Sequence, residues 1–219
     1  MKNINLKILL NGGLILVFIY GLSIAKDFGI SWDEAHHRDS GKRIAAYLIN
    51  FFGLESNKPI PQGLKDFDYM QKKYGPIFDT ISAVVEEVFQ LRDMKNIFIM
   101  RHYLNFIFYF AGYLGYFYFL KLIFPKNNYA LIFSFFYLLH PRLFGQGFFN
   151  PKDSILQAYV SISLIPIVRS FLYFKTKDLV LSGVALGIAI STKVVCVYLP
   201  FLFSFFYLLI SYLEKTNVK

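Results

Sequence analysis

The sequence predicts an all-α, polytopic membrane protein, with about six transmembrane helices and a long extracytoplasmic first loop that carries amphipathic helices. Three observations carry that prediction. The composition is 56% hydrophobic and 20% aromatic with a mean hydropathy of +0.46, more apolar than a soluble domain needs. The apolar residues come in blocks that match a bilayer rather than in the short periodic runs of a soluble core. The basic residues of the inner connections fit the bias that sets membrane topology. That bias also explains the net charge of +9 without a nucleic-acid partner. The single cysteine, Cys196, lies in an apolar block, so no intrachain disulfide forms. Zinc-ligand spacings, Walker loops, dinucleotide fingerprints, internal repeats and low-complexity linkers are all absent from the sequence.

The first span occupies residues 1–25. Its apolar block, Ile8–Ala25, reaches about 27 Å as a helix, just enough to cross. A cleaved signal peptide is the alternative, because Lys2 and Lys7 make a basic start and Ser23-Ile24-Ala25 a small-x-small site. The length of the block and the spans that follow favour an uncleaved anchor.

Residues 26–96 form the extracytoplasmic loop. Ser31-Trp32-Asp33-Glu34 has the Ser-x-x-Glu pattern of a capping box and opens a helix to about Phe52. On that reading Glu34 simply reaches back to the Ser31 amide. Gly53–Lys65, with Pro59, Pro61 and Gly63, reads as a loop. Pro76 suits the first position of a second helix. Ile77, Ile81, Val84, Val85 and Val88 share one face of it, while Asp79, Glu86 and Glu87 fall elsewhere. Two such helices can lie flat on a membrane surface.

Residues 97–213 hold spans two to six, and 214–219 a cytoplasmic tail. The blocks are Ile97–Phe124, Tyr129–Leu139, Ser154–Phe174 and Leu179–Leu213. The last would measure about 52 Å as one helix, well over a ~30 Å core, so it divides into two near Ser191-Thr192-Lys193. Tyr129–Leu139 is short for a span, and a break or re-entrant turn is expected at His140-Pro141. With the N-terminus cytoplasmic, the inner segments carry Lys2 and Lys7, then Lys121 and Lys126, then Arg169, Lys175 and Lys177, then Lys215 and Lys219. Arg169 is expected to snorkel to the inner interface. Arg101, Arg142, Lys152 and Lys193 break the rule by falling at the outer ends. Basic groups held at that depth suit an anion. Asn150-Pro151-Lys152-Asp153 reads first as a helix start, with Asn150 as N-cap and Pro151 as first residue. A helix start beside Lys152 also suits an anion, unless Asp153 neutralises Lys152.

In order along the chain, "SWDE" (31–34), "YGPIF" (74–78), "RHYLN" (101–105), "HPRLFGQGFFNPKD" (140–153) and "GVALGIAISTKVVCVYLPFLF" (183–203) resemble the motifs of GT-C type multi-spanning membrane glycosyltransferases. The likeness is greatest to the branch of protein O-mannosyltransferases and aminoarabinose transferases. That group is usually longer, with more spans and often a soluble C-terminal domain. The resemblance implies transfer of a sugar from a polyprenyl-phosphate-linked donor to a lipid, glycan or protein acceptor on the outer face of the cell (inner) membrane. It implies that Asp33, with its neighbour Glu34, is the catalytic base or orients the acceptor. Such a base must reach the attacking hydroxyl, and the leaving phosphate needs fixed cations in a poorly hydrated site. Arg101, Arg142, Lys152 and Lys193 are the lipid-phosphate candidates, and Tyr74, Asn150 and Asp153 the substrate-binding ones. No cofactor is assigned and no metal ligand named. A divalent cation is possible in this group, and Asp33, Glu34 and His37 stand within about one helical turn. A non-catalytic scaffold or lipid-carrier-binding protein of the same architecture is the alternative. A transporter would show paired broken helices in repeated halves, and the sequence has none.

Overall fold

The computed structural model describes residues 6–53, 74–125 and 129–217. Lys2, Lys126 and Lys219, and the proline-containing stretch 54–65, lie outside them. The regular elements among the described residues are all helices: α1 (Leu6–Ile24), α2 (Glu34–Phe51), α3 (Ile77–Val88), α4 (Met94–Ile123), α5 (Tyr129–Leu139), α6 (Pro141–Phe149), α7 (Asp153–Tyr173), α8 (Thr176–Thr192) and α9 (Tyr198–Asn217), with single 3-10 turns at Ala25–Asp27 and Val194–Val197. Among the described residues, α4 and α7 are the helices that are both long and apolar enough to cross a membrane.

The breaks follow local chemistry. α5 stops because Pro141 disfavours a helical His140, which is extended (φ −63°, ψ 116°) and starts α6 with Pro141 in its first turn. Eleven residues make only about 16 Å of helix, so α5 alone does not cross a ~30 Å core. The break expected near 191–193 is present: α8 ends at Thr192, Lys193 is extended, and a 3-10 turn leads into α9. α4 starts where Asp93 accepts a hydrogen bond from the Asn96 amide, an ordinary N-cap. α7 starts at Asp153, later than the expected Pro151, but Asn150 still caps it: its Oδ1 accepts from the Asp153 amide at 2.9 Å and the Lys152 amide at 3.1 Å. Arg169 has a protein partner: its Nε donates to Asp178 at 3.0 Å across the turn from α7 to α8.

α4 is the hub, packed on α7, α5 and α6, while α7 carries α8. Phe106, Tyr109 and Tyr113 of α4 are fully buried with Leu138 and Phe148. The Phe106 and Phe148 rings stack at 4.8 Å and Phe28 stacks on Phe148 at 4.2 Å. Ring pairs at such distances add about 0.5–1.5 kcal/mol each beyond area burial. Their consequence here is positional: Phe28 is pinned to α6, which fixes the turn that follows it.

α3 is inside out by soluble standards. Asp79, Ser82 and Glu86 are buried beside Phe78 and Ala83, while Ile81, Val84 and Val88 of the apolar face are exposed, Val88 to 70%. α2 buries Glu34, His37, Ser40 and Gly41 and exposes Tyr47, Leu48, Phe51 and Phe52. The two helices meet through polar groups and turn their greasy sides outward.

Candidate functional site

The site begins at the turn fixed by Phe28. Glu34 reaches back to accept from the Ser31 amide at 2.6 Å, half of the expected capping box. The Ser31 hydroxyl does not complete it. It lies instead within reach of Asp33 Oδ1 (3.0 Å) and the Phe149 carbonyl (3.3 Å). Adjacent residues on a helix start point apart, and the two acids diverge. Glu34 turns inward, where the His102 Nε2 of α4 lies 3.1 Å from its Oε1. Asp33 turns outward and accepts from Lys152 Nζ at 2.6 Å. Burial alone would raise the Asp33 carboxyl, but the hydrogen bonds from Lys152 and Ser31 prevail and hold it below its ordinary value.

Two contacts put the facing wall in place. The Gly75 amide donates to the Thr192 carbonyl at 2.9 Å, and Tyr74 and Lys193 form an isolated antiparallel bridge. A Cβ on Gly75 would run into the Ser191 carbonyl, so only glycine lets the segment before α3 lie on the end of α8. The result is an aromatic ring under two ammonium groups. Lys152 Nζ is 4.2 Å and Lys193 Nζ 5.7 Å from the Tyr74 ring centroid, both within cation–π range. Lys193 Nζ also donates to Asp153 at 2.7 Å. The sequence raised Asp153 as the neutraliser of Lys152. In the fold Asp153 pairs with Lys193, and Asp33 takes Lys152.

Behind this part-exposed row lies a buried one. Arg101 donates to Asp79 Oδ1 at 2.5 Å, and His37 Nδ1 lies 2.8 Å from Asp79 Oδ2. Arg101 is 2% exposed. Glu86 receives a two-pronged bond from Arg38 (2.8 and 2.6 Å) and the Lys42 ammonium at 2.8 Å. Burial would raise Glu86, but Arg38 and Lys42 hold it below its ordinary value, and Glu86 in turn raises Arg38. Gly41 permits the approach of the two helices, since a Cβ there would meet the Asp79 backbone.

The fold thus sorts the sequence candidates into two groups. Asp33, Lys152, Tyr74, Lys193, Asp153 and Asn150 come together from four separate stretches of chain. Glu34 and Arg101 sit in the buried layer, held by His102 and by Asp79. Arg142 is exposed at the start of α6 and forms no ion pair among the described residues. Asp79, Arg38 and Glu86 were not among the sequence candidates, and His37 was raised only as a possible metal ligand. Their signal was available: positions 79, 82, 83 and 86 make a polar and small stripe at helical spacing, opposite the apolar one. The suggested metal set does not fit. Asp33, Glu34 and His37 each face a different partner, and among the described residues no three His, Cys, Asp or Glu side chains converge.

Residues 10–218 match the family of dolichyl-phosphate-mannose-protein mannosyltransferases. The chain belongs to that family. The matched span contains every residue of the site, from Ser31 to Lys193. No curated protein and no solved structure matches the chain. Membership makes this a glycosyltransferase-family chain, and its long apolar helices agree with a membrane protein.

Proposed function

We propose that this mannosyltransferase-family protein transfers a sugar from a polyprenyl-phosphate-linked donor to an acceptor hydroxyl at the outer membrane face. One observation carries the reading: a carboxylate and two ammonium groups, all outside the deeply buried layer, converge around Tyr74. In the reaction the acceptor oxygen attacks the anomeric carbon and its proton passes to Asp33. The bond from that carbon to the phosphate oxygen breaks, and its electron pair leaves with the lipid phosphate. Lys152 and Lys193 stabilise the charge that develops there. Attack from the side opposite the phosphate inverts the anomeric centre. Asn150 and Asp153 serve the site indirectly, by fixing the start of α7 and the Lys193 head. The donor sugar suggested by the family is mannose, and the acceptor a protein.

The same reading sets the membrane arrangement. The N-terminus is cytoplasmic, about six segments cross or enter the bilayer, and α2 and α3 lie at the outer interface. Exposed Phe51, Phe52, Val84 and Val88 then contact lipid. The test is polyprenyl phosphate binding to detergent-purified protein, wild type against Lys152→Gln/Lys193→Gln. Saturable binding that the double variant loses supports the reading. Equal binding in both would move the phosphate elsewhere, and no binding by the wild type would favour the scaffold alternative.

A further inference from the structure

We propose that the donor phosphate switches on its own base, by drawing Lys152 away from Asp33 and onto itself. The inference rests on the transferase reading above. Its starting point is a conflict in the geometry. The candidate base and a candidate phosphate cation are bonded to each other at 2.6 Å. The second cation, Lys193, is likewise taken, by Asp153 at 2.7 Å. A carboxylate committed to an ammonium is a poor proton acceptor, and a committed ammonium is a weaker anion ligand. In this arrangement each half of the site quenches the other.

The arrangement is suited to exchange. The Lys152 and Asp33 side chains are 12% and 20% exposed, so neither is sealed in. Lysine carries a compact charge on a flexible stem with three donors, and can change partner without moving backbone. The Tyr74 ring holds both ammonium heads in cation–π range by its face, a contact that does not depend on either carboxylate. An arriving phosphate can therefore take Lys152 and Lys193 while the ring keeps them in place. Asp33 does not move: its Oδ1 stays within reach of the Ser31 hydroxyl, and its backbone is fixed through Glu34 and His102. The buried Arg101–Asp79 pair cannot exchange in this way, because Arg101 is enclosed and His37 holds the other carboxylate oxygen.

Exchange makes a prediction opposite to simple loss of function. Asp33 competes with phosphate for Lys152, so removing the carboxylate should tighten phosphate binding. Coupling between linked sites commonly amounts to about fivefold or more. The experiment is a double-mutant cycle on the full chain in lipid nanodiscs, with polyprenyl phosphate as the probe. Asp33→Asn should lower its Kd about fivefold in the wild-type background and leave it unchanged in the Lys152→Gln background. Asp153→Asn, tested against Lys193→Gln, repeats the cycle on the second pair with a residue that is not the base. Equal tightening by Asp33→Asn in both backgrounds would indicate a general charge effect and overturn the exchange. Unchanged or weaker binding by Asp33→Asn in a folded protein would overturn it too, while leaving the transferase reading intact if Lys152→Gln still weakens binding. A wild type that binds no polyprenyl phosphate would remove both.

Discussion

Two rows of charge run side by side in this protein, and they are built from different residues. The buried row uses mainly arginine and histidine: Arg101 and His37 share Asp79, Arg38 forks onto Glu86 with the more exposed Lys42 beside it, and His102 faces Glu34. The outer row uses lysine and tyrosine: Lys152 on Asp33, Lys193 on Asp153, and both heads on Tyr74. Arginine offers a rigid fork and sheds water more readily, which suits a fixed buried partner, whereas lysine is a mobile point charge. The difference teaches that the cations the sequence groups together are not one class. Those that fasten α2 and α3 to α4 hold the scaffold, and those around Tyr74 remain open to a ligand.

The largest expected effect breaks the outer row alone. Asp33→Asn should lower sugar transfer by about 10²–10⁴-fold, the usual share of a positioned base. Thermal stability in detergent should stay close to wild type, because the amide keeps most of the side-chain shape and Lys152 retains Tyr74. An active Asp33→Asn protein would remove the base from this position. Lys152→Gln gives a finer reading of the same group. Removing the ammonium that depresses Asp33 should shift the acid limb of kcat/KM upward in pH.

Arg101→Gln should do the reverse. It leaves the buried Asp79 carboxylate with His37 alone, and removing one partner of a buried pair costs about 3–5 kcal/mol. The Tm should fall sharply with or without a lipid ligand. A stable Arg101→Gln protein that had lost only phosphate binding would return Arg101 to the outer row, where the sequence reading had put it.

How far the sequence could be read differs from feature to feature. Helix breaks were legible because they are local: Pro141 forbids a helical His140, and Asn150 caps α7 wherever that helix begins. The outer row was legible as a set because Asp33, Tyr74, Lys152 and Lys193 each stood at the end of a helical block, where chain reversals gather. Pairing was not legible. Lys152 and Lys193 are both near Asp153 in any sketch of the loops, and only the approach of Gly75 to the end of α8 decides which ammonium Asp153 receives. Arg101 stood among the outer basic residues, but its depth depends on Asp79, and the polar and small stripe at 79, 82, 83 and 86 marks a face of α3 without saying which side chain of α4 it meets. Here the apolar stripe of α3 pointed the wrong way for a soluble fold, since Ile81, Val84 and Val88 are exposed rather than in the core.

Gly41→Ala sharpens the comparison at the α2–α3 contact. The added Cβ meets the Asp79 backbone, where the neighbour cannot rotate aside. Overpacking of that kind costs about 1–3 kcal/mol. Because the disturbed residue belongs to the buried row, stability should fall while polyprenyl phosphate affinity changes little at temperatures where the protein is folded. A Gly41→Ala protein of normal Tm but weakened affinity would mean that the two rows act as one.

The smallest expected effect is a pH dependence, and its sign follows from Glu86. Arg38 and Lys42 hold this carboxyl below its ordinary value of 4.5 in the folded protein. A depressed folded pKa contributes stability above the unfolded value, and that contribution fades as pH falls through the folded one. Acidification from about pH 4.5 should therefore loosen α2 from α3, with no such change between pH 6 and 8 from this group. Asp33 is depressed too, from 3.8, so its contribution fades at lower pH. Hydrogen exchange of the α3 amides, followed as pH falls, separates the two groups. In the wild type, protection of α3 should fall as pH drops below about 4.5, the ordinary value of Glu86. In Glu86→Gln, protection should already be lower at neutral pH, and the portion of the acid slope that belongs to Glu86 should be gone. An unchanged slope in that variant would remove Glu86 as the source of the acid sensitivity, and with it the Arg38 fork as the weak point of the buried row.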